Sequence, residues 1–157
     1  MLLGKDPSSD PEASLPTHNP NVTFAYTKHM WMAGMRDQAY SQLYRLVQTC
    51  LRPQLQQIQN KEVDEHKRLL ARCYLKLGEW QEALQGLNEK CITTVLMCYA
   101  AATDHDSHWY KAWHAWAYMN FETVLFYKHQ QQGGSTEIKQ GTVWIFLINR
   151  GCARKLF

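Results

Sequence analysis

The chain has 157 residues, of which 45% are hydrophobic and 20% charged. This is the composition of one globular domain, and it excludes a wholly disordered chain, a collagen-like chain and a bundle of membrane helices. The net charge of +3 equals the sum over residues 133–157 alone, so the rest of the chain is neutral. We therefore expect no basic face and no nucleic-acid binding.

The cysteines and the chain's apolar segments bear on its compartment. Five cysteines at irregular spacing, without a Cys-x-x-Cys pair, indicate reduced thiols rather than a disulfide framework. The N-terminus lacks the apolar stretch of a signal peptide. The apolar run Thr142–Ile148 is far shorter than the roughly 20 residues that span a bilayer. We expect a cytoplasmic chain without a transmembrane segment.

Residues 1–20 form a segment of their own. They contain four of the five prolines, with serine, aspartate and asparagine between them. Proline removes backbone donors and interrupts helices, so this composition predicts an irregular Pro/Ser-rich linker that ends at Pro20-Asn21.

Residues 21–132 carry helical periodicity throughout. Apolar residues recur three and four positions apart, which predicts about six helices in about three antiparallel pairs. Pro53 should end or kink one helix near Leu51. Gly78 should end another and begin a short helix that carries Trp80.

Two stretches of this region look alike. Gly34 is followed five residues later by Ala39, and Gly78 by Ala83. With Tyr74 and Trp80, the second copy resembles the helix–turn–helix of the tetratricopeptide repeat. In this interpretation tyrosine fills the groove between paired helices, glycine turns the chain, and alanine is small where helices cross. The copies lie 44 residues apart, longer than the usual 34. The prediction is an all-α, TPR/HEAT-like α-solenoid with an irregular N-terminal loop and a non-helical C-terminal tail.

The last predicted helix has the strongest apolar stripe. Its large members are Trp109, Trp113, Trp116 and Phe121. Such a stripe is typical of core, and the alternative is a partner groove. We expect six side chains of the region to be mostly buried: Tyr74, Trp80, Ala83, Trp113, Trp116 and Phe121.

No catalytic constellation stands out. His105-x-x-His108, flanked by Asp104 and Asp106, contains zinc-ligand types, but no thiol completes a set, so a solvated loop is the favoured interpretation. Phosphate-binding glycine loops, the G-x-S-x-G elbow and the kinase triplets are absent from the sequence. We assign no catalytic, cofactor-binding or metal-binding residue.

Residues 133–157 change character. A glycine-serine opening is followed by the charge-free run Thr142–Ile148. This run does not continue the helical periodicity. The sequence contains no second strand-forming segment that could pair with it. We predict an atypical tail, translated from an intron or a divergent exon, that lies away from the helices.

Four segments are distinctive when taken together: Asp6–Glu12, Pro16–Trp31, Leu69–Gln81 and, most specifically, the Trp-rich string Ala101–Glu122. They resemble the FAT domain of TOR-type kinases, within the phosphatidylinositol-3-kinase-related kinase family. The resemblance covers about residues 5–132, weakly over 36–66, and stops before the tail, which we therefore predict to be foreign to the family. It implies a partial FAT helical-repeat domain over 21–132, part of a solenoid that wraps the kinase domain. The family's kinase residues have no counterpart here.

Three functions follow as hypotheses. The first is a non-catalytic scaffold segment of a TOR-type kinase, whose partners the resemblance implies to be the kinase domain and other TOR-complex subunits. The alternative is an independent TPR-like adaptor that binds a peptide or protein. An enzyme built on the His105/His108 loop is the third, and it lacks a second catalytic partner.

Overall fold

A computed structural model describes residues 19–59 and 61–132. Within those ranges the backbone is helical apart from short links, and it contains no strand. The predicted linker, up to residue 18, and the predicted tail 133–157 lie outside the described residues. The helices are α1 (Pro20–Met32), α2 (Arg36–Leu46), α3 (Arg52–Leu55), α4 (Glu62–Gln85), α5 (Glu89–His105) and α6 (Tyr110–Gln132).

The first hairpin is defined by its turn. At the end of α1, Gly34 N–H donates to Trp31 O (3.1 Å) and Met35 N–H donates to Met30 O (3.0 Å). This pair of bonds is a Schellman ending, and it places Gly34 at φ +89°, where a side chain is strained. The predicted turn at Gly34 is therefore confirmed, and it folds α2 back onto α1.

Proline shapes the helix that follows. A π-helical turn, Val47–Leu51, joins α2 to α3 without a break. Helix α3 begins at Arg52, and Pro53 lies in its first turn. Proline has no N–H to donate and crowds the preceding turn, so the regular α-helix is interrupted before it. The predicted disturbance near Leu51 is observed. His66 Nε2 donates to the Leu51 carbonyl at 2.7 Å, which satisfies a backbone acceptor at the end of the π turn.

The predicted stop at Gly78 is wrong, because α4 runs through it without interruption. Its buried residues Cys73, Leu77 and Trp80 keep the helical period on both sides of the glycine. A mid-helix glycine costs roughly 1 kcal/mol. Burial of a single large apolar side chain stabilises by about 1.5–3 kcal/mol and outweighs that cost.

Gly78 instead permits a close crossing of α4 with α5. A Cβ atom at this position would collide with the Tyr99 ring, and it would lie 2.8 Å from Tyr99 Cδ1 and 3.2 Å from Cys98 Cβ. The Tyr99 ring is only 4% exposed, so it has little room to move. The glycine therefore serves a close approach between helices rather than a turn.

Contacts along α4 and α5 show that the two helices are antiparallel. Near the hairpin link, the Cys91 thiol donates to the Gln81 carbonyl at 3.6 Å. At the far end, the rings of Tyr74 and His105 stack with centroids 5.6 Å apart. The residue numbers thus rise on one helix as they fall on the other. Helix α6 then packs mainly on α5.

An aromatic stack joins the two hairpins. Trp31 of α1 and Trp80 of α4 lie with ring centroids 4.6 Å apart and planes 1° apart, and the Arg36 guanidinium lies 5.1 Å from the Trp31 ring. Offset stacking of this kind adds about 0.5–1.5 kcal/mol beyond area burial. Successive hairpins stacked side by side are the arrangement of an α-solenoid, and the predicted all-α solenoid class is confirmed.

The core consists of two apolar clusters that meet at α4. One lies between α1, α2 and α4 and includes Leu43, Leu70 and Trp80. The other lies between α4, α5 and α6, and Ile92 and Met119 belong to it. Tyr74 contacts both clusters, so the hairpins share one continuous interior.

His105 ends α5 in a partly buried position. Burial lowers the pKa of its imidazole, as do Lys67, Arg52 and His66 more weakly, while Asp104 opposes the shift. The folded state therefore favours the neutral ring against Tyr74.

We predict that Gly78→Ala destabilises the protein by roughly 1–3 kcal/mol, because the new methyl group overpacks the crossing against Tyr99. Helix propensity alone would predict a gain of about 1 kcal/mol, so the sign of the change is diagnostic. Urea unfolding measures the difference. The exposed control Lys67→Ala should stay within about 0.5 kcal/mol of the parent. A Gly78→Ala chain at least as stable as the parent would contradict the close crossing.

We predict that the protein loses stability as the pH falls from 7 to 5, partly through His105. Since its folded pKa is depressed, the unfolded chain binds the proton more readily once the pH drops through the unfolded value. The stabilisation that the neutral His105 ring provides above about pH 6.5 is therefore lost as the pH falls below that value. His105→Gln should show a smaller difference between urea midpoints at pH 7 and pH 5 than the parent. An unchanged difference would show that another group carries the dependence.

Candidate interaction site

Two of the predicted packing residues are buried in the first cluster. Ala39 is fully buried in α2, and Trp80 is 4% exposed. Tyr74 is half-buried between the two clusters, and burial is the main cause that raises the pKa of its hydroxyl. These residues hold the hairpins together.

The predicted burial of Ala83 is wrong. Ala83 is exposed in the last turn of α4, beside the exposed link 86–88. The hairpin's close crossing lies five residues earlier, at Gly78, so no small residue is needed at position 83. The apparent repeat of Gly34-Ala39 at Gly78-Ala83 therefore does not correspond to equivalent structural positions.

Helix α6 is apolar on two opposite faces. Its inner face buries Ala112, Met119 and Thr123 against α5, and the Trp109 and Trp116 rings pack partly against the same cluster. The predicted burial of Phe121 is wrong, because this ring is 59% exposed. Residues two positions apart on an α-helix point in directions about 200° apart around the helix axis. Met119 and Phe121 therefore cannot share a face.

Part of the exposed side of this helix, beside Lys111, His114 and Tyr118, forms an apolar stripe. We define the outer face of α6 as Tyr110, Trp113, Ala117, Phe121 and Val124, which follow one another at spacings of three and four residues. Tyr110 is 77% exposed and Val124 46%. None of the five is charged. Sequence periodicity alone does not separate this outer face from the inner one, and it predicts a single broad apolar stripe.

Trp113 anchors the start of α6. Its Nε1 donates to the Ser107 carbonyl at 2.8 Å, and its ring meets Trp116 edge-on with centroids 5.7 Å apart. Both rings are partly buried rather than mostly buried. The pair fixes the loop that precedes α6.

The histidine loop does not assemble a metal site in the described ranges. His105 stacks on Tyr74, while His108 is exposed in the link to α6. Among residues 19–59 and 61–132, no three His, Cys, Asp or Glu side chains converge as ligands.

Two thiols that lie in the core or pack against it are poor nucleophiles. Desolvation raises the pKa of Cys73 to about 12 and that of Cys98 to about 11. Because the thiolate is the reactive form, both stay protonated and inert at neutral pH. They act as small apolar residues in the core.

An open cleft of about 510 Å³ lies where α1 begins beside α4. Pro20, Ile58 and Leu69 form its apolar part, and Glu65 and Arg68 are among its charged residues. Both negative carboxylates and positive guanidinium groups line the cleft. Its charged groups therefore do not converge to bind one type of ligand. Across the described ranges, no helix combines the length and apolarity needed to cross a bilayer.

Sequence comparison supplies the identity of this architecture. The family model of the FAT domain matches residues 1–146, including the predicted linker and the first part of the predicted tail. The serine/threonine-protein kinase mTor of Drosophila melanogaster is 40% identical over 154 residues, which cover 90% of this chain and 6% of that protein.

More distant kinases show the same pattern. The serine/threonine-protein kinase tor1 of Schizosaccharomyces pombe is 36% identical over 145 residues, covering 84% of the chain and 6% of its own length. The TOR kinase of Arabidopsis thaliana is 30% identical over 159 residues, covering 92% of the chain and 6% of its own length. The chain thus spans about 6% of the length of these curated relatives. With stacked helical hairpins and a family match over nearly its whole length, the chain belongs to the FAT domain family and is a FAT-domain segment of the TOR type.

Proposed function

We propose that the chain is a non-catalytic scaffold segment of a TOR-type kinase, located in the cytoplasm, that helps to wrap the kinase domain and presents protein-binding surface. The observation that carries the proposal is the match of a stacked helical block to about 6% of the length of TOR kinases. A segment of this size adds rigid surface to a larger solenoid.

The chemistry of the described side chains supports a structural role. Large side chains pack hairpin against hairpin in the Trp31–Trp80 stack. Desolvation keeps the Cys73 and Cys98 thiols protonated. Phosphoryl transfer needs a cradle for the nucleotide phosphates and metal-binding carboxylates, and its motifs do not occur in the sequence.

A candidate contact surface lies at the end of the block where α1 and α4 terminate. Pro20 at the start of α1 lines the same cleft as Leu69, and Trp31 near the end of α1 stacks on Trp80, so α1 and α4 run in the same direction. The turn after α1 and the link after α4 therefore lie at the same end. Met32 is 83% exposed there, Met35 43% and Leu87 40%. Flexible apolar side chains at one edge suit a protein interface. We propose that this edge, Met32, Met35 and Leu87, contacts the kinase domain or another subunit of the complex.

We predict that the purified chain neither binds nucleotide nor transfers phosphate. Titration of ATP with Mg²⁺ in a calorimeter should give no saturable heat, because nothing in the sequence forms a phosphate-binding loop. Saturable binding with micromolar or tighter affinity would overturn the scaffold proposal in favour of an active protein.

We predict that the chain binds the C-terminal part of the Drosophila relative that follows the matched region. Met32→Glu together with Met35→Glu should weaken that binding about tenfold or more, because charges replace apolar contacts at the edge. The matched control is Gln38→Glu with Ser41→Glu, which adds the same charge on the exposed side of α2. Surface plasmon resonance measures both. Equal loss in both pairs, or binding that neither pair changes, would remove this edge from the interface.

A further inference from the structure

Helix α6 carries a row of exposed side chains along nearly its whole length. Its members follow one another at alternating spacings of four and three residues, and each of them is exposed: Tyr110, His114, Ala117, Phe121, Val124 and Lys128. We call them the heptad row of α6, because this alternation is the seam spacing of a coiled coil. Tyr110 is 77% exposed and Phe121 59%. The row therefore has the pattern of a surface that packs against another helix.

The dimensions of the heptad row suit a single helix as its partner. The row is about 27 Å long at 1.5 Å per residue. Across the width of one helix, about 10 Å, that length gives a contact well below the roughly 800 Å² per partner of a standard stable interface. Any association through this row alone is therefore weak.

The heptad row is complementary to itself when two copies meet antiparallel. A twofold axis at the level of Met119 pairs each member with the one equally far from the midpoint: Ala117 with Phe121, His114 with Val124, and Tyr110 with Lys128. In the two central pairs, the small Ala117 of one copy leaves room for the Phe121 ring of the other. Large side chains then meet small ones at the centre of the contact.

The ends of the row are complementary in charge. Lys128 is the only charged member, and in the antiparallel register it faces the aromatic ring of Tyr110, which attracts a cation. The Tyr110 ring lies beside His114 with centroids 5.9 Å apart, so the two rings form one surface. A parallel pair would instead place Lys128 against Lys128 and Ala117 against Ala117. It would combine a charge repulsion with a void, and the antiparallel register is therefore favoured.

We propose that a second copy of this chain covers the heptad row, in an antiparallel pair of α6 helices centred at Met119. A second copy is favoured over a foreign partner because the row supplies both members of every pair. Since the contact is short, the dissociation constant should lie at roughly 10–500 µM. The proposal does not depend on the scaffold function, which places the kinase contact at the Met32–Met35–Leu87 edge.

Sedimentation equilibrium of the full chain, between about 10 µM and 1 mM, tests the proposal by measuring mass against concentration. The parent should approach twice the chain mass and stop there. Phe121→Glu should weaken the association about tenfold or more, because it puts a charge at the centre of the apolar contact. The matched control is Tyr26→Glu, which replaces a 45% exposed ring on α1 with the same charge and should leave the association unchanged.

Each other outcome overturns the proposal. A parent that stays monomeric up to about 1 mM, or a mass that rises past two chains without a plateau, excludes the weak dimer. Equal weakening by Phe121→Glu and Tyr26→Glu, or none by Phe121→Glu, places the association elsewhere. A monomeric chain that binds the C-terminal part of the Drosophila relative more weakly as Phe121→Glu has a foreign partner on this row. That result would leave the scaffold proposal intact.

Isotope-filtered nuclear Overhauser contacts in a mixture of labelled and unlabelled parent chains decide the register. They need no variant, so they remain valid if circular dichroism shows that Phe121→Glu has lost its helices. Contacts from the Phe121 ring of one copy to the Ala117 methyl group of the other support the antiparallel pair. The absence of these contacts in a dimer overturns it.

Discussion

The close approach of α4 to α5 at Gly78 sets the arrangement of the whole block. The buried Tyr99 ring occupies the space that a side chain at position 78 would take, so the distance between the two helices depends on one missing methyl group. Helix α6 packs mainly on α5 and follows its position. Two residues further along α4, Trp80 carries the stack with Trp31 that holds the first hairpin. One short piece of α4 therefore couples both hairpins.

Helical periodicity gives most of this fold, because each helix must bury one apolar stripe. It correctly places the turn at Gly34, where the backbone needs a positive φ, and the disturbance before Pro53, where a backbone donor is missing. It fails at Gly78. Glycine serves both as a turn residue and as a contact residue, and only the ring of Tyr99, 21 positions away, decides between the two. Local sequence does not contain that information.

The exposed apolar face of α6 is harder to predict for a related reason. In α6, aromatic residues occur on both faces, and periodicity cannot say which face is covered. Met119 and Phe121 are both large and apolar, yet α5 buries the first and leaves the second exposed. The same limit explains Ala83, whose small size suggests a helix crossing although the crossing lies elsewhere. Whether a face is buried depends on the position of the neighbouring helix. An apolar stripe in the sequence indicates only that the face could be buried.

The energetics of a solenoid explain how further hairpins can be added to such a block. Each hairpin is stabilised by its own core and by the interface with its neighbour, here the Trp31–Trp80 stack and the shared contacts of Tyr74. Because these contacts are local, added hairpins extend the stack without altering those already formed. Internal packing leaves some apolar side chains exposed. In this block they form the Met32–Met35–Leu87 edge, which spans both hairpins, and the outer face of α6. The relative position of these two surfaces is set by α4 and α5, whose spacing is fixed at Gly78. The scaffold role proposed above requires a rigid segment of this kind, with separated apolar surfaces.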